Sequence, residues 1–221
     1  MGTIVGSRIC TSPNVGSASN WWEVDGKTTV AAYQAVGAAD LATSLVNLAN
    51  PGVNNLVVNN PGNLSFSTAE GWIFPGLNDG SAPYLSGFPT FDSTDTILIL
   101  LASASGDPGF NEMVLRSSNI YLGVNNGAFY FEAFAGYWED YDAGPDFSDI
   151  VVGICNESFC ANGVDLGTLD PFDAGSDSNL TLGTYSVGTR GYHGPVRAVV
   201  QIAGGLTADQ LLALSNAMLA L

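Results

Sequence analysis

The segment GYWEDYDAGPDFSD, residues 136–149, sets three aromatic rings among carboxylates: Tyr137, Trp138 and Tyr141 stand beside Asp140, Asp142 and Asp146. Rings of this kind stack on the apolar faces of sugars, and neighbouring Asp and Asn side chains accept hydrogen bonds from sugar hydroxyls. The same oxygens suit calcium, a hard cation that prefers oxygen ligands. A second acidic stretch, LDPFDAGSDSN at 169–179, adds Asp170, Asp173 and Asp177 without the spacing of an EF-hand loop. Two readings stand. In one, Tyr137, Trp138, Tyr141, Asp140 and Asp142 hold a glycan, with calcium on Asp142, Asp146, Asp170, Asp173 and Asp177. In the other, the rings are core and the acids are a solvated loop.

Hydrolytic chemistry finds less support. Glycoside cleavage needs two carboxyl groups flanking one bond, and Glu139 beside Asp140 would point to opposite faces of an extended segment. The single histidine, His193, lies in the turn-like GYHGP, and no Gly-x-Ser-x-Gly elbow exists to partner it. The expectation is a protein without catalytic residues.

The stretch VVGICNESFCANGVDLGTL, residues 151–169, reads as three short strands. A strand ending at Cys155 turns through Asn156-Glu157-Ser158 and returns through Cys160, and Asn162-Gly163 turns the chain again. Cys155 and Cys160 are thereby expected to face each other at a separation a disulfide can span. Zinc would want four ligands, and only Cys10 and His193 remain to supply them. A redox motif would want two intervening residues near a helix start. The choice lies between a disulfide and two reduced thiols, and the disulfide is the expectation. Such a bond persists outside a reducing cytosol. Yet MGTIVGSRIC lacks the apolar run of an export signal, and nowhere do 18 apolar residues occur together. Release by lysis, as a virus particle is released, reconciles the two.

Charge removes whole classes of partner. Five basic residues stand against 21 acidic ones, for a net charge of −16. Nucleic acid and anionic membrane surfaces both require a cationic stripe, so neither is a partner. With 46% hydrophobic residues, a sizeable core is available to one domain of 221 residues.

The elements that must position these residues follow from periodicity. Residues 1–27 are rich in Gly, Ser, Asn and Thr and read as an arm, with Trp21 and Trp22 as docking anchors on its own domain or on a partner. Between 28 and 52 a short β run gives way to a helix, because Ala38, Leu41, Ala42, Leu45 and Leu48 fall at helical spacing before Asn50-Pro51-Gly52. NNLVVNNPGNLSFSTAEGWI (54–73) reads as a surface loop. From Gly71 the pattern is all β: Asn78-Asp79-Gly80 marks a tight turn, DTILILLA (95–102) a strand buried on both faces, and Asn126-Gly127 a hairpin within 119–135. SDIVVGI and VRAVVQIA add strands. At the end, Thr207 and Gln210 have capping-box spacing, and Leu211, Leu214, Met218 and Leu221 give a helix one apolar face.

Four blocks, AAYQAVGAADLATSLVNLANPG (31–52), GWIFPGLNDGSAPYLSGF (71–88), NGVDLGTL (162–169) and GGLTADQLLALSNAM (204–218), resemble a group of concanavalin A-like, laminin-G-like proteins common in environmental bacteriophages. The resemblance spans residues 28–221 and leaves the arm uncovered. It implies an all-β jelly-roll β-sandwich with short helices near each end. Enzymes on this sandwich carry Glu-x-Asp-x-Glu along one strand, and this chain does not. The implied function is a non-enzymatic virion surface or structural protein, such as a decoration protein, head fibre or tail-associated module. Its expected partners are capsid, fibre or tail proteins, further copies of itself, and glycans. It would be made in the host cytoplasm and released within the virion. The alternative is an extracellular, calcium-assisted, lectin-like protein of bacterial origin.

Overall fold

Two patterns of apolar residues run through the strands, and each builds one sheet. The computed structural model describes residues 20–92, 94–102, 112–117, 120–125, 128–133, 137–142, 149–155, 158–168, 179–184 and 190–221. In chain order the first elements are β1 (Thr28–Gln34), α1 (Leu41–Ser44), β2 (Val57–Asn59), β3 (Ser65–Ser67), β4 (Gly71–Pro75), β5 (Tyr84–Ser86) and β6 (Thr96–Leu101). A run of strands follows: β7 (Glu112–Arg116), β8 (Ile120–Asn125), β9 (Ala128–Ala133), β10 (Tyr137–Asp142), β11 (Ile150–Cys155), β12 (Ser158–Ala161) and β13 (Val164–Thr168). The chain closes with β14 (Thr181–Leu182), β15 (His193–Ala203) and α2 (Ala208–Leu219).

Continuous apolar runs build the larger, eight-stranded sheet. Its order is β13-β12-β11-β6-β15-β4-β3, all antiparallel, and β1 also pairs with β15. Every residue of β6 and β11 is buried, as strands covered on both faces require. On one side Ile97, Ile99, Ile150, Val152 and Val199 meet the second sheet. On the other side Leu98, Leu100, Val151, Val200 and Ile202 meet α2 through Leu211, Leu214 and Met218. The helix carries the expected capping box, in which the Thr207 hydroxyl accepts from the Gln210 amide and the Gln210 side chain accepts from the Thr207 amide.

Alternating patterns build the smaller sheet, in the order β10-β9-β8-β7-β14-β5-β2. One cross-strand row, Val58-Leu85-Leu182-Leu115-Leu122-Phe131, traverses six of its strands. Leu85, Leu182, Leu115 and Leu122 within it are fully buried against the larger sheet. The two sheets thus form the β-sandwich expected.

The 11-residue β15 is the seam of the larger sheet. Its first half, His193–Val196, pairs with β4, and its second half, Ala198–Ala203, pairs with β1. Between them the Arg197 carbonyl accepts from the amides of Ala35 and Val36. Gly71 is needed where β4 begins: a Cβ there would stand 2.4 Å from the Val196 carbonyl oxygen, and φ is +88°.

Two local expectations are corrected. The helix expected over 38–48 is a single turn, Leu41–Ser44, capped by Asp40, whose carboxylate accepts from the Thr43 amide at 2.7 Å. That bond holds the exposed Asp40 carboxyl below its ordinary pKa. Asn47 ends the turn. Its buried carboxamide accepts from the amides of Ala32 and Ala49 and donates to the carbonyls of Val30 and Val53. A side chain that satisfies backbone groups on both sides competes with helix continuation. The loop expected over 54–73 contains the short strands β2 and β3, one at an edge of each sheet. Asn78-Asp79-Gly80 does turn tightly, with Asp79 accepting from the Ser81 amide at 3.0 Å, but β4 and β5 on either side of it belong to different sheets.

Residues 20–27 lie on the sandwich. The Trp21 indole donates to Gln34 at 2.8 Å, the Trp22 carbonyl accepts from Thr29, and both rings pack half-buried on the cluster under α2. The expected anchors therefore hold this segment to its own domain. Residues 1–19, with Cys10, lie outside the described residues.

Replacing Asn47 by Ala removes the partner of five backbone groups, and an unsatisfied buried group costs about 1–3 kcal/mol. We expect Asn47→Ala to lower the unfolding free energy by about 3 kcal/mol in urea titrations. A loss below about 1 kcal/mol would show that the loop finds other partners.

Candidate functional site

In the middle of the larger sheet, β6 and β11 are buried on both faces, with α2 and the Trp21-Trp22 segment on the side away from the core, whereas its edge strand β13 is exposed at Val164, Asp165 and Leu166. Among the described residues, the outer face of the smaller sheet also meets solvent. Its rows alternate with the leucine row described above. One of them runs Trp138-Glu132-Tyr121-Arg116-Thr181 across β10, β9, β8, β7 and β14. On β5, Tyr84 and Ser86 flank the inward Leu85, and Asn59 of β2 stands opposite Tyr84. Tyr84, Ser86, Asn59, Thr181, Arg116 and Tyr121 all keep part of their surface in solvent.

Arg116 sits on the fourth of the seven strands, with its guanidinium carbon 5.7 Å from the centre of the Tyr121 ring. That distance is within reach of a cation–π contact, which orients both groups. Beside it the Thr181 hydroxyl donates to the Arg116 carbonyl, and further along Asn59 donates to the Ser86 hydroxyl at 2.8 Å. Aromatic rings, amides, hydroxyls and one cation thus share one antiparallel surface. Such a face can stack a sugar ring and exchange hydrogen bonds with its hydroxyls.

The register divides the residues singled out in 136–149. Tyr137, Glu139 and Tyr141 fall in the rows of Ala133, Phe131 and Phe129, and Phe129 is fully buried in the core. Trp138, Asp140 and Asp142 fall in the alternate rows of Glu132, Tyr130 and Ala128. Of the expected glycan set, Trp138, Asp140 and Asp142 therefore share rows of one parity, and Tyr137 and Tyr141 share the other. Glu139 and Asp140 alternate in the same way, as expected for an extended segment. Of the expected calcium ligands, Asp146, Asp170, Asp173 and Asp177 lie outside the described residues. Among the described residues no group of three or more His, Cys, Asp or Glu side chains gathers. His193 opens β15 opposite Pro75, half-buried at the seam.

Sequence reasoning passed over Arg116, Tyr121 and Tyr84. Their signal was the alternation of IYLGVN, where Ile120, Leu122 and Val124 are core and Tyr121 is not. Assigning that face to solvent required knowing which sheet the helix covers.

The cysteine expectation is corrected in register. β11, β12 and β13 form the expected three-strand meander, but Cys155 stands opposite Ser158 and Cys160 opposite Gly153. The two are offset by one row pair instead of facing, and both are free, buried thiols in the cluster under α2. The Cys155 sulfur accepts from the Leu206 amide at 3.4 Å and from the Thr96 hydroxyl at 3.3 Å, so it secures the approach to α2. Desolvation, with smaller contributions from Cys155 and Asp165, pushes the Cys160 thiol far above its ordinary pKa.

The fold defines an antiparallel β-sandwich, and solved structures share it. The sequence matches no protein-family model and no curated protein. The chain is similar to the botulinum neurotoxin serotype D ligand-binding domain in complex with N-acetylneuraminic acid, at 12% identity and a TM-score of 0.61, over 86% of this chain and 50% of that one. It is also similar to the receptor-binding domain of the botulinum neurotoxin C/D mosaic serotype, at 12% identity and a TM-score of 0.59, over 86% and 51%. A third likeness is to Trypanosoma rangeli sialidase in complex with sialic acid, at 13% identity and a TM-score of 0.59, over 85% and 32%. The chain thus spans about half of the neurotoxin domains and a third of the sialidase.

Burial shuts reagent away from both sulfurs and keeps the Cys160 thiol in its unreactive protonated form, so Cys155 and Cys160 should resist alkylation in the folded protein at pH 8. Peptide mapping is expected to find both unlabelled by iodoacetamide until denaturant is added, and then labelled without reductant. A non-reduced peptide joining Cys155 to Cys160 would instead establish the disulfide.

Proposed function

We propose that this chain is a non-enzymatic surface module of a bacteriophage particle that contacts glycans through the outer face of its smaller sheet. The row Tyr121-Arg116-Thr181, which the register continues to Glu132 and Trp138, carries this reading, because Tyr121, Arg116 and Thr181 set an aromatic ring and hydrogen-bonding groups side by side and keep part of their surface in solvent. The similar structures lend support, since one neurotoxin domain is in complex with N-acetylneuraminic acid and the sialidase with sialic acid. Sandwiches host many functions, so the site and not the fold bears the weight. The particle setting is supported by the four sequence blocks that resemble phage laminin-G-like proteins. In that setting Trp21 and Trp22 tether residues 20–27 to the domain, and the preceding residues are the segment offered to capsid, fibre or tail.

A glycan array probed with the full chain, with calcium and again with a chelator, tests the proposal. Wild-type protein is expected to bind a defined sugar class. Tyr121→Ala and Trp138→Ala are expected to weaken binding about tenfold each, as loss of a stacking ring does. Binding that survives both substitutions would move the site off this face. Loss of binding on chelation would assign calcium a role at the acidic stretches around Asp142 and Asp170.

A further inference from the structure

At its β2–β5 end the outer face of the smaller sheet carries a block of four uncharged residues. Asn59 stands opposite Tyr84 and Val57 opposite Ser86, while Val58 and Leu85 between them turn to the core. Asn59, Tyr84 and Ser86 are half-buried, and Val57 is 54% exposed. The Asn59 carboxamide lies across the block: its Nδ2 donates to the Ser86 hydroxyl at 2.8 Å and to the carbonyls of Val57 and Tyr84 at 3.3 and 3.5 Å. With Nδ2 committed to these acceptors, Oδ1 has no partner among the described residues, and Ser86, which accepts from Asn59, keeps its own proton to donate. Asn60 donates to the Ala82 carbonyl and Asn63 to the Ser81 carbonyl, both at 3.0 Å. These bonds tie the chain after β2 to the approach to β5, so the block is held before a ligand arrives.

On the reading that this face contacts glycans, we propose that the block is a subsite for an uncharged pyranose with two adjacent free hydroxyls. The Tyr84 ring takes the apolar C–H face of the sugar. Asn59 Oδ1 accepts from one hydroxyl and the Ser86 hydroxyl donates to its neighbour. Acceptor and donor are separated by little more than one carboxamide and one hydrogen bond, which is the scale of hydroxyls on adjacent ring carbons. Because Asn59 already donates to Ser86, the Ser86 O–H is polarised and its bond to the ligand is strengthened. Val57, beside Ser86, extends the apolar floor.

Charge selects the ligand class. None of the four residues is ionisable near neutral pH, and Arg116, the described cation of this sheet, lies on β7, two strands from β5 and roughly 10 Å away. The chain as a whole carries a net charge of −16. An acidic sugar would enter a repelling field with no cation in the block to offset it, whereas a neutral one meets no such barrier. The expected ligand thus differs from the N-acetylneuraminic acid held by the similar neurotoxin domain.

Calorimetric titration of the full chain with maltotetraose, mannotetraose, lactose and 3′-sialyllactose tests the inference. At least one uncharged probe is expected to bind, and lactose no more weakly than its sialylated form. Tyr84→Ala should weaken binding of that probe about tenfold, and Asn59→Ala and Ser86→Ala roughly fivefold each. Tyr84→Phe keeps the ring and should bind as the wild type does. Ser86→Ala removes one hydroxyl and serves if the Tyr84→Ala variant folds poorly. Full binding by Tyr84→Ala and Ser86→Ala, with Tyr121→Ala still weakened, overturns the subsite while the glycan-contact reading stands. Binding of 3′-sialyllactose about tenfold more tightly than lactose overturns it in the same way. Binding of none of the four probes overturns both.

Discussion

Burial of the larger sheet on both faces is the constraint on which the rest of this structure depends. β6, β11 and the second half of β15 carry apolar side chains toward the smaller sheet and toward α2 alike. The edge strand β13 meets solvent at Val164, Asp165 and Leu166, and on the smaller sheet, whose strands alternate apolar and polar residues, Tyr84, Arg116, Tyr121 and Thr181 keep part of their surface in water. Placement of the candidate site is thus a consequence of where the helix went.

The same constraint explains why polar side chains recur at the margins of the larger sheet. Asn47 ties β1 to the chain that follows α1, and the buried Asp95 carboxylate accepts from the amides of Gly204 and Asp92 and from Gln201. Cys155 receives the Leu206 amide where the chain leaves β15 for α2. Each secures a connection that must pass close to the core, where an unsatisfied backbone group would be costly. These groups are read best as structural.

Electrostatics act differently on the two sheets. On the larger sheet Arg197 is matched by Asp149, and the pair stabilises a crossing of loop and strand. On the smaller sheet Arg116 rests against an aromatic ring in the middle of an aromatic and hydroxyl-bearing surface. Shape and chemistry at this face point the same way.

Much of the architecture was legible in the residues. The apolar run at 95–102, the pairing of β8 with β9, the meander of 150–168 and the capped C-terminal helix all follow from local periodicity and turn chemistry, while Asn126-Gly127 themselves lie outside the described residues. The helix over 38–48 did not follow, because a buried Asn47 with five backbone partners outweighed helical spacing. Nor did the cysteine pairing, since one register step separates residues that face from residues that do not. Of the residues near 136–149, sequence found the right strand but could not divide its two faces. By itself, then, the sequence determined the strands and their alternation, because these depend on near neighbours along the chain, and the net charge, which depends on composition alone. Only the tertiary structure decided which face α2 covers, which rows align and that Arg116 stands beside Tyr121, because pairing across strands is set by contacts distant in sequence.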